Sequence, residues 1–166
     1  MKQYDLYIFD VDGTISERDT TDLLPGEAEW FEANQTAVAF ATNQGGVGLR
    51  HWMETGGFGE PEKYPTEEQV MKRLRFIADQ VGVSPLNIYA CFAYQSKSSG
   101  KWAPSENDGL FWEHAWRKPE PWMLIHAMEM AGAESAVMVG DSEEDKAAAR
   151  AAGIDFIHAG DFFGRS

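Results

Sequence analysis

The chain has 166 residues, of which 43% are hydrophobic and 25% charged, an ordinary balance for a globular protein that can bury a core of its own. Acids outnumber bases 27 to 14, for a formal charge of −13 at pH 7. That field disfavours nonspecific binding to nucleic acid or to an anionic membrane and leaves room for a cation.

One cysteine, Cys91, excludes an internal disulfide and any cysteine-rich zinc site. The N-terminus reaches a strand within a few residues, without the basic and long apolar segments of a signal peptide. No apolar run approaches the roughly 18 residues needed to span a bilayer. These features predict a cytoplasmic protein that does not contact membrane.

Taken in chain order, short apolar runs alternate with helical patterns. "LYIF" (6–9) reads as a first strand and runs straight into Asp10, Val11, Asp12, Gly13 and Thr14. Two carboxylates one residue apart repel and raise each other's pKa. Either something cationic is bound there, or the pair is only a polar turn. A short helix is predicted over 26–34, and "AVAFA" (37–41) is the second strand, ending in Thr42 and Asn43.

Residues 44–65 carry many Gly and Pro with no clear period and read as a loop. "TEEQVMKRLRFIADQVG" (66–82) is the clearest helix. Thr66 and Gln69 form a capping-box pattern, Val70, Leu74, Ile77 and Val81 share a face, and Gly82 stops it. "IYACFAY" (88–94) is the third strand. Residues 95–117 are polar with interleaved Trp102, Phe111, Trp112 and Trp116, a long loop of the kind that carries function.

Lys118 stands just before a proline-opened helix over 119–131. "AVMV" (136–139) is the fourth strand and ends in Gly140 and Asp141, with Asp145 one turn into a helix over 143–152. "IDFI" (154–157) is the fifth. Continuous hydrophobicity marks strands buried on both faces, and strands alternating with helices predict an α/β sandwich around a mainly parallel sheet. The whole chain, 1–166, reads as one domain, with 44–65 and 95–117 flanking the site. Singly, Thr42 could be a turn hydroxyl, Lys118 a solvated lysine and Asp141 an N-cap.

Together and in this order, D-x-D-G-T, T-N-Q, K-P and G-D-x-x-x-D resemble the four motifs of the haloacid dehalogenase (HAD) superfamily of phosphohydrolases. "TNQGGVG" and "RKPEPWM" resemble most the branch holding histidinol-phosphate, heptose-bisphosphate and polynucleotide 3′-phosphatases. The resemblance implies a three-layer Rossmann-like fold. The spacings leave too little chain before Thr42, and too little between Asn43 and Lys118, for a large cap domain.

It implies further that Asp10 is the nucleophile that becomes an aspartyl-phosphate. Asp12 would be the general acid and then base. Thr42, Asn43 and Lys118 would hold the phosphate. Mg²⁺ would be held by Asp10, the Asp12 carbonyl and Asp141, with Asp145 behind them. Several relatives in this branch carry a zinc cluster in the later loop, which Cys91 and His114 cannot supply.

Three readings of the aromatic loop are open: a packed lid, a surface that stacks on substrate, or a partner surface. Trp112 and Trp116 are the specificity candidates there. Arg50, His51, Lys97, Lys101 and Arg117 are either substrate-selecting or ordinary surface residues. The loop's bases and acids balance, which suits an uncharged or aromatic leaving group. The first functional expectation is a Mg²⁺-dependent phosphomonoesterase acting on a small phosphorylated metabolite. A nucleic-acid 3′-end phosphatase, against which the net charge argues, and a non-catalytic binding protein are the alternatives.

Overall fold

The structure, a computed structural model, describes residues 2–165. Five parallel strands form one sheet: β1 (Leu6–Phe9), β2 (Ala37–Asn43), β3 (Ile88–Cys91), β4 (Ala136–Gly140) and β5 (Asp155–His158). Their spatial order is β3-β2-β1-β4-β5. In register, Phe9 stands opposite both Phe40 of β2 and Val139 of β4. The chain leaves β1 toward one edge of the sheet and later returns to its other side. The carboxyl ends of β1, β2 and β4 therefore border the switch point, where ligands of such sheets bind.

The alternation of side chains along a strand sorts the core into two layers. Tyr7 and Phe9 point into one layer, with Phe40, Val70, Leu74, Ile77 and Phe162. Leu6 and Ile8 point into the other, with Ala39, Ala41, Met123, Leu124, Ala148 and Ala149. The aromatic layer lies beneath α1 (Glu27–Ala33), α3 (Glu67–Val81) and the terminal α6 (Ala159–Phe162). The small-residue layer lies beneath α4 (Trp122–Ala131) and α5 (Glu143–Ala152).

The sequence reading of α3 holds in detail. Thr66 Oγ1 accepts from the Gln69 N–H, the Gln69 side chain accepts from the Thr66 N–H, and Gly82 ends the helix with φ 78°. Residues 44–65 are a correction, because they contain a helix, α2 (Gly46–Gly56), and a 3-10 turn at Pro61–Lys63. One glycine there serves close packing. A β-carbon on Gly48 would stand 2.3 Å from the Phe92 carbonyl oxygen. Only glycine lets this turn of α2 rest on the chain leaving β3.

The later long segment, 95–117, stays mostly irregular, with 3-10 turns at Leu110–Trp112 and His114–Trp116. No helix among the described residues is long and apolar enough to cross a membrane.

Candidate active site

Asp10 follows β1 directly, and its N–H donates to the Val139 carbonyl at 3.0 Å, continuing the pairing with β4. The next four residues turn sharply. The N–H groups of Thr14, Ile15 and Ser16 all aim at the Val11 carbonyl, and Gly13 has φ 79°. A β-carbon on Gly13 would collide with the Asp141 carboxylate. Glycine is thus needed here twice over, for the turn and for the approach of Asp141.

Lys118 is 2% exposed, and its ammonium is fully engaged. It donates to Asp10 Oδ1 at 3.1 Å, to Asp145 Oδ1 at 2.5 Å and to the Ala41 carbonyl at 2.8 Å. Burial alone would lower its pKa, but the Asp10 and Asp145 carboxylates outweigh that and leave it raised. Burial also pushes the Asp10 carboxyl up, to about 7. Lys118 opposes that rise, while Asp145 and Asp141 add to it.

The Asn43 side chain holds this lysine's backbone. Its Oδ1 accepts from the Lys118 N–H at 3.1 Å, and its Nδ2 donates to the Lys118 carbonyl at 2.9 Å and to Glu144 at 3.0 Å. Asp145 is fixed as well, because its Oδ2 accepts from the N–H groups of Asp141 and Ser142 at 3.2 Å each.

Oxygens of Asp10, Asp141 and Asp145 lie within 4.8 Å of one another. Three carboxylates face a single buried ammonium, a surplus of negative charge that a divalent cation would neutralise. Both oxygens of Asp145 are already committed to Lys118 and backbone donors. The Asp141 carboxylate, by contrast, accepts no hydrogen bond among the described residues. Asp10 and Asp141 are therefore the carboxylates open to an ion, with Asp145 behind them.

Asp12 is held from several sides. Its Oδ2 accepts from Gln44 Nε2 at 2.8 Å, and its Oδ1 accepts from the Asp19 N–H at 2.9 Å and forms an ion pair with Arg73. The same Gln44 amide donates to Thr42 Oγ1 at 2.9 Å, so the buried Thr42 hydroxyl keeps its own proton free to donate. These groups line a cleft of about 830 Å³, along with Tyr64, Tyr94, Lys97 and Arg117.

Asp10, Asp12, Thr42, Asn43, Lys118, Asp141 and Asp145 thus meet at one place. Arg50, Trp112 and Trp116 do not join them. Arg50 does not line the cleft, and its guanidinium is occupied by Glu54 and the Tyr64 carbonyl. Trp112 and Trp116 are 2% and 4% exposed, in different core layers, with their indole N–H groups donated to Glu67 and to the Ala90 carbonyl. Specificity through these tryptophans is corrected to a packing role. His51 and Lys101 also stay out of the cleft.

Sequence reasoning missed Gln44 and Arg73. Gln44 continues the T-N-Q string and was within reach. Nothing marks Arg73, a cation beside the apolar stripe of a helix.

Residues 115–159, from just before Lys118 to the end of β5, match the family model described as HAD-hydrolase-like. The structure resembles D,D-heptose 1,7-bisphosphate phosphatase from B. bronchiseptica, solved with magnesium and phosphate. The TM-score is 0.57 at 24% identity, over 92% of this chain and 78% of that one. The chain has the haloacid dehalogenase fold.

More distant HAD-fold matches include glycerol phosphate phosphatase from Mycobacterium tuberculosis in complex with magnesium (15% identity, 92% of this chain and 67% of that one, TM-score 0.45). Another is 4-nitrophenylphosphatase from Thermotoga maritima (19%, 93% and 85%, 0.46). Curated protein sequences give no match. Asp10 and Asp141 directly follow β1 and β4, Thr42 and Asn43 end β2, and no separate cap domain stands over them among the described residues.

Proposed function

We propose that the protein is a Mg²⁺-dependent phosphomonoesterase that works through an aspartyl-phosphate on Asp10. The observation that carries this reading is the convergence of Asp10, buried Lys118, Asp141 and Asp145 at the switch point of the sheet. The non-catalytic alternative is disfavoured because every group the reaction needs is present and held.

Lys118 holds Asp10 Oδ1, which leaves Oδ2 to attack phosphorus. The Thr42 hydroxyl, its oxygen already accepting from Gln44, donates to a phosphoryl oxygen. The ester P–O bond breaks as the Asp10–phosphorus bond forms, and Asp12 gives its proton to the departing alkoxide. A water then attacks the aspartyl-phosphate and passes its proton to Asp12, releasing inorganic phosphate and restoring both acids. A Mg²⁺ ion held by Asp10, the Asp12 carbonyl and Asp141 would supply charge neutralisation at the phosphoryl group.

The lining of the cleft bears on the substrate. Six bases and seven acids line it, with Lys118 and Arg73 already paired to carboxylates, so any preference for anions comes from local placement and not from the cleft's total charge. From the aromatic segment, Lys97 and Arg117 face the cleft, whereas Glu106, Asp108 and Glu113 do not. That sorting overrides the segment's neutral sum and favours a small metabolite with a second anionic group over an uncharged or aromatic leaving group. A nucleic-acid 3′ end also carries anions but must approach the net charge of −13.

The test is a panel of phosphate monoesters, with and without a second anionic group, assayed with Mg²⁺ and with chelator. Phosphate release that needs Mg²⁺, vanishes in Asp10→Asn and prefers doubly anionic esters is expected. Full activity of Asp10→Asn would overturn the mechanism. Tighter competition by 3′-phosphorylated oligonucleotide than by any metabolite would favour the nucleic-acid reading.

A further inference from the structure

We propose that Arg73, carried on α3, is a positioning residue that fixes the Asp12 carboxylate and the segment after it in working geometry. The inference rests on the reading of Asp12 as proton donor and acceptor. Asp12 lies on a tight turn, and its two oxygens could face several ways about χ2. Arg73 on Oδ1, with Gln44 on Oδ2, settles the direction.

The guanidinium uses its planar fork on three groups of one segment. Nη2 pairs with Asp12 Oδ1 and donates to Ser16 Oγ at 3.3 Å, and Nε donates to the Thr20 carbonyl at 2.7 Å. The same Asp12 oxygen accepts from the Asp19 N–H, and Asp19 has the one positive φ among the described non-glycine residues, 61°. Aspartate is one of the few non-glycine residues that enter that region, at some cost. The Asp19 N–H is aimed at Asp12 only while the segment is tied down. The tie runs from α3, which is itself anchored by its capping box and by the indole of Trp112 on Glu67.

The arrangement is built rather than incidental. The Arg73 side chain is 15% exposed and that of Asp12 10%, so neither partner is a freely solvated surface charge. A lysine could supply the charge but not the fork. Its single nitrogen would have to choose between Asp12 and the Thr20 carbonyl.

The test uses Arg73→Met and Arg73→Lys in the full chain, with two readouts. The first is hydrogen exchange at the Asp19 amide, which reports whether Asp12 still faces it and needs no catalysis. Exchange is expected to speed up by roughly 5-fold or more in Arg73→Met relative to wild type. The second compares kcat/KM for an alkyl and an aryl phosphate. This constant runs through formation of the aspartyl-phosphate, in which an alkoxide needs the Asp12 proton and an acidic phenol leaves without it. The alkyl ester is expected to lose at least ~10-fold, part of the ~10²–10⁴ a general acid contributes, and the aryl ester distinctly less. Arg73→Lys should restore neither readout.

Unchanged Asp19 exchange, equal losses on both esters, or rescue by lysine would each overturn the proposal. If wild type cleaves no phosphate ester, the phosphatase reading fails, and the exchange measurement alone decides whether Arg73 positions Asp12.

Discussion

Replacing Lys118 with methionine removes one ammonium from beneath Asp10, Asp145 and the Ala41 carbonyl, in a site where the lysine is 2% exposed. Methionine fills similar space, so the cost is electrostatic. Two carboxylates that shared one cation are left facing each other, with Asp141 close by. Removing one member of a buried ion pair costs ~3–5 kcal/mol. For a chain of this length each kcal/mol moves the Tm by about 2–4 °C, which gives a fall of about 6–20 °C.

The loss should be larger at pH 8 than at pH 5, because burial pushes Asp10 up to about 7 even with Lys118 opposing the rise, and without the lysine this carboxyl takes a proton more readily still. It should shrink at pH 5, where a proton can take the place of the ammonium. Mg²⁺ should raise the Tm of Lys118→Met more than that of wild type, because the variant holds more uncompensated charge. Adding Asp145→Asn should return part of the lost stability. Thermal unfolding followed by circular dichroism, at both pH values and with and without Mg²⁺, reads all of this. A fall of less than about 2 °C at pH 8, or equal Mg²⁺ increments, would show that Lys118 does not balance these carboxylates.

Trp116→Ala should cost ~3–5 kcal/mol in urea unfolding, as truncation of a buried aromatic does, and a loss below 1 kcal/mol would return this residue to the surface. Cys91 is fully buried, and burial pushes its thiol up to about 11, so an aromatic disulfide reagent should label it only after denaturation. Tyr4 donates to Asp155 at 2.6 Å, which raises Tyr4 to about 12 and lowers Asp155. The bond's stabilisation should be complete between about pH 4 and 10. It should be lost as pH falls below the ordinary aspartate value, or rises from 10 through 12. Urea midpoints should lose the alkaline dependence in Tyr4→Phe and keep part of the acid one, because Lys2 also lowers Asp155.

The strands, the capped helices α3 and α5, and the residues at the strand ends were legible because each is written locally. An apolar run that ends in Asp10 or Asp141 needs no distant partner to be noticed. Helix α2 was hidden because Gly48 answers to the Phe92 backbone across the fold, and glycine read locally means a loop. Arg73 was hidden for a related reason. It stands 61 positions from Asp12, and only the folding of α3 over the first turn brings them together. The sequence left the role of the tryptophans in 95–117 open, because an aromatic residue in a polar stretch reads the same whether it packs inward or outward.

That segment also settles what happens at the open side of the sheet. β3 is an edge strand, and an edge offers unpaired backbone groups to any other chain. Here the Ala90 carbonyl takes the Trp116 indole N–H, and the Phe92 N–H donates to the Phe111 carbonyl at 2.7 Å. Trp112 inserts into one core layer and Trp116 into the other, so the chain passes around the edge and is pinned on both faces. The wrap fills hydrogen-bonding positions that a neighbouring molecule would otherwise occupy. Loosening it would turn a covered border into a template for self-association, with turbidity that grows with protein concentration.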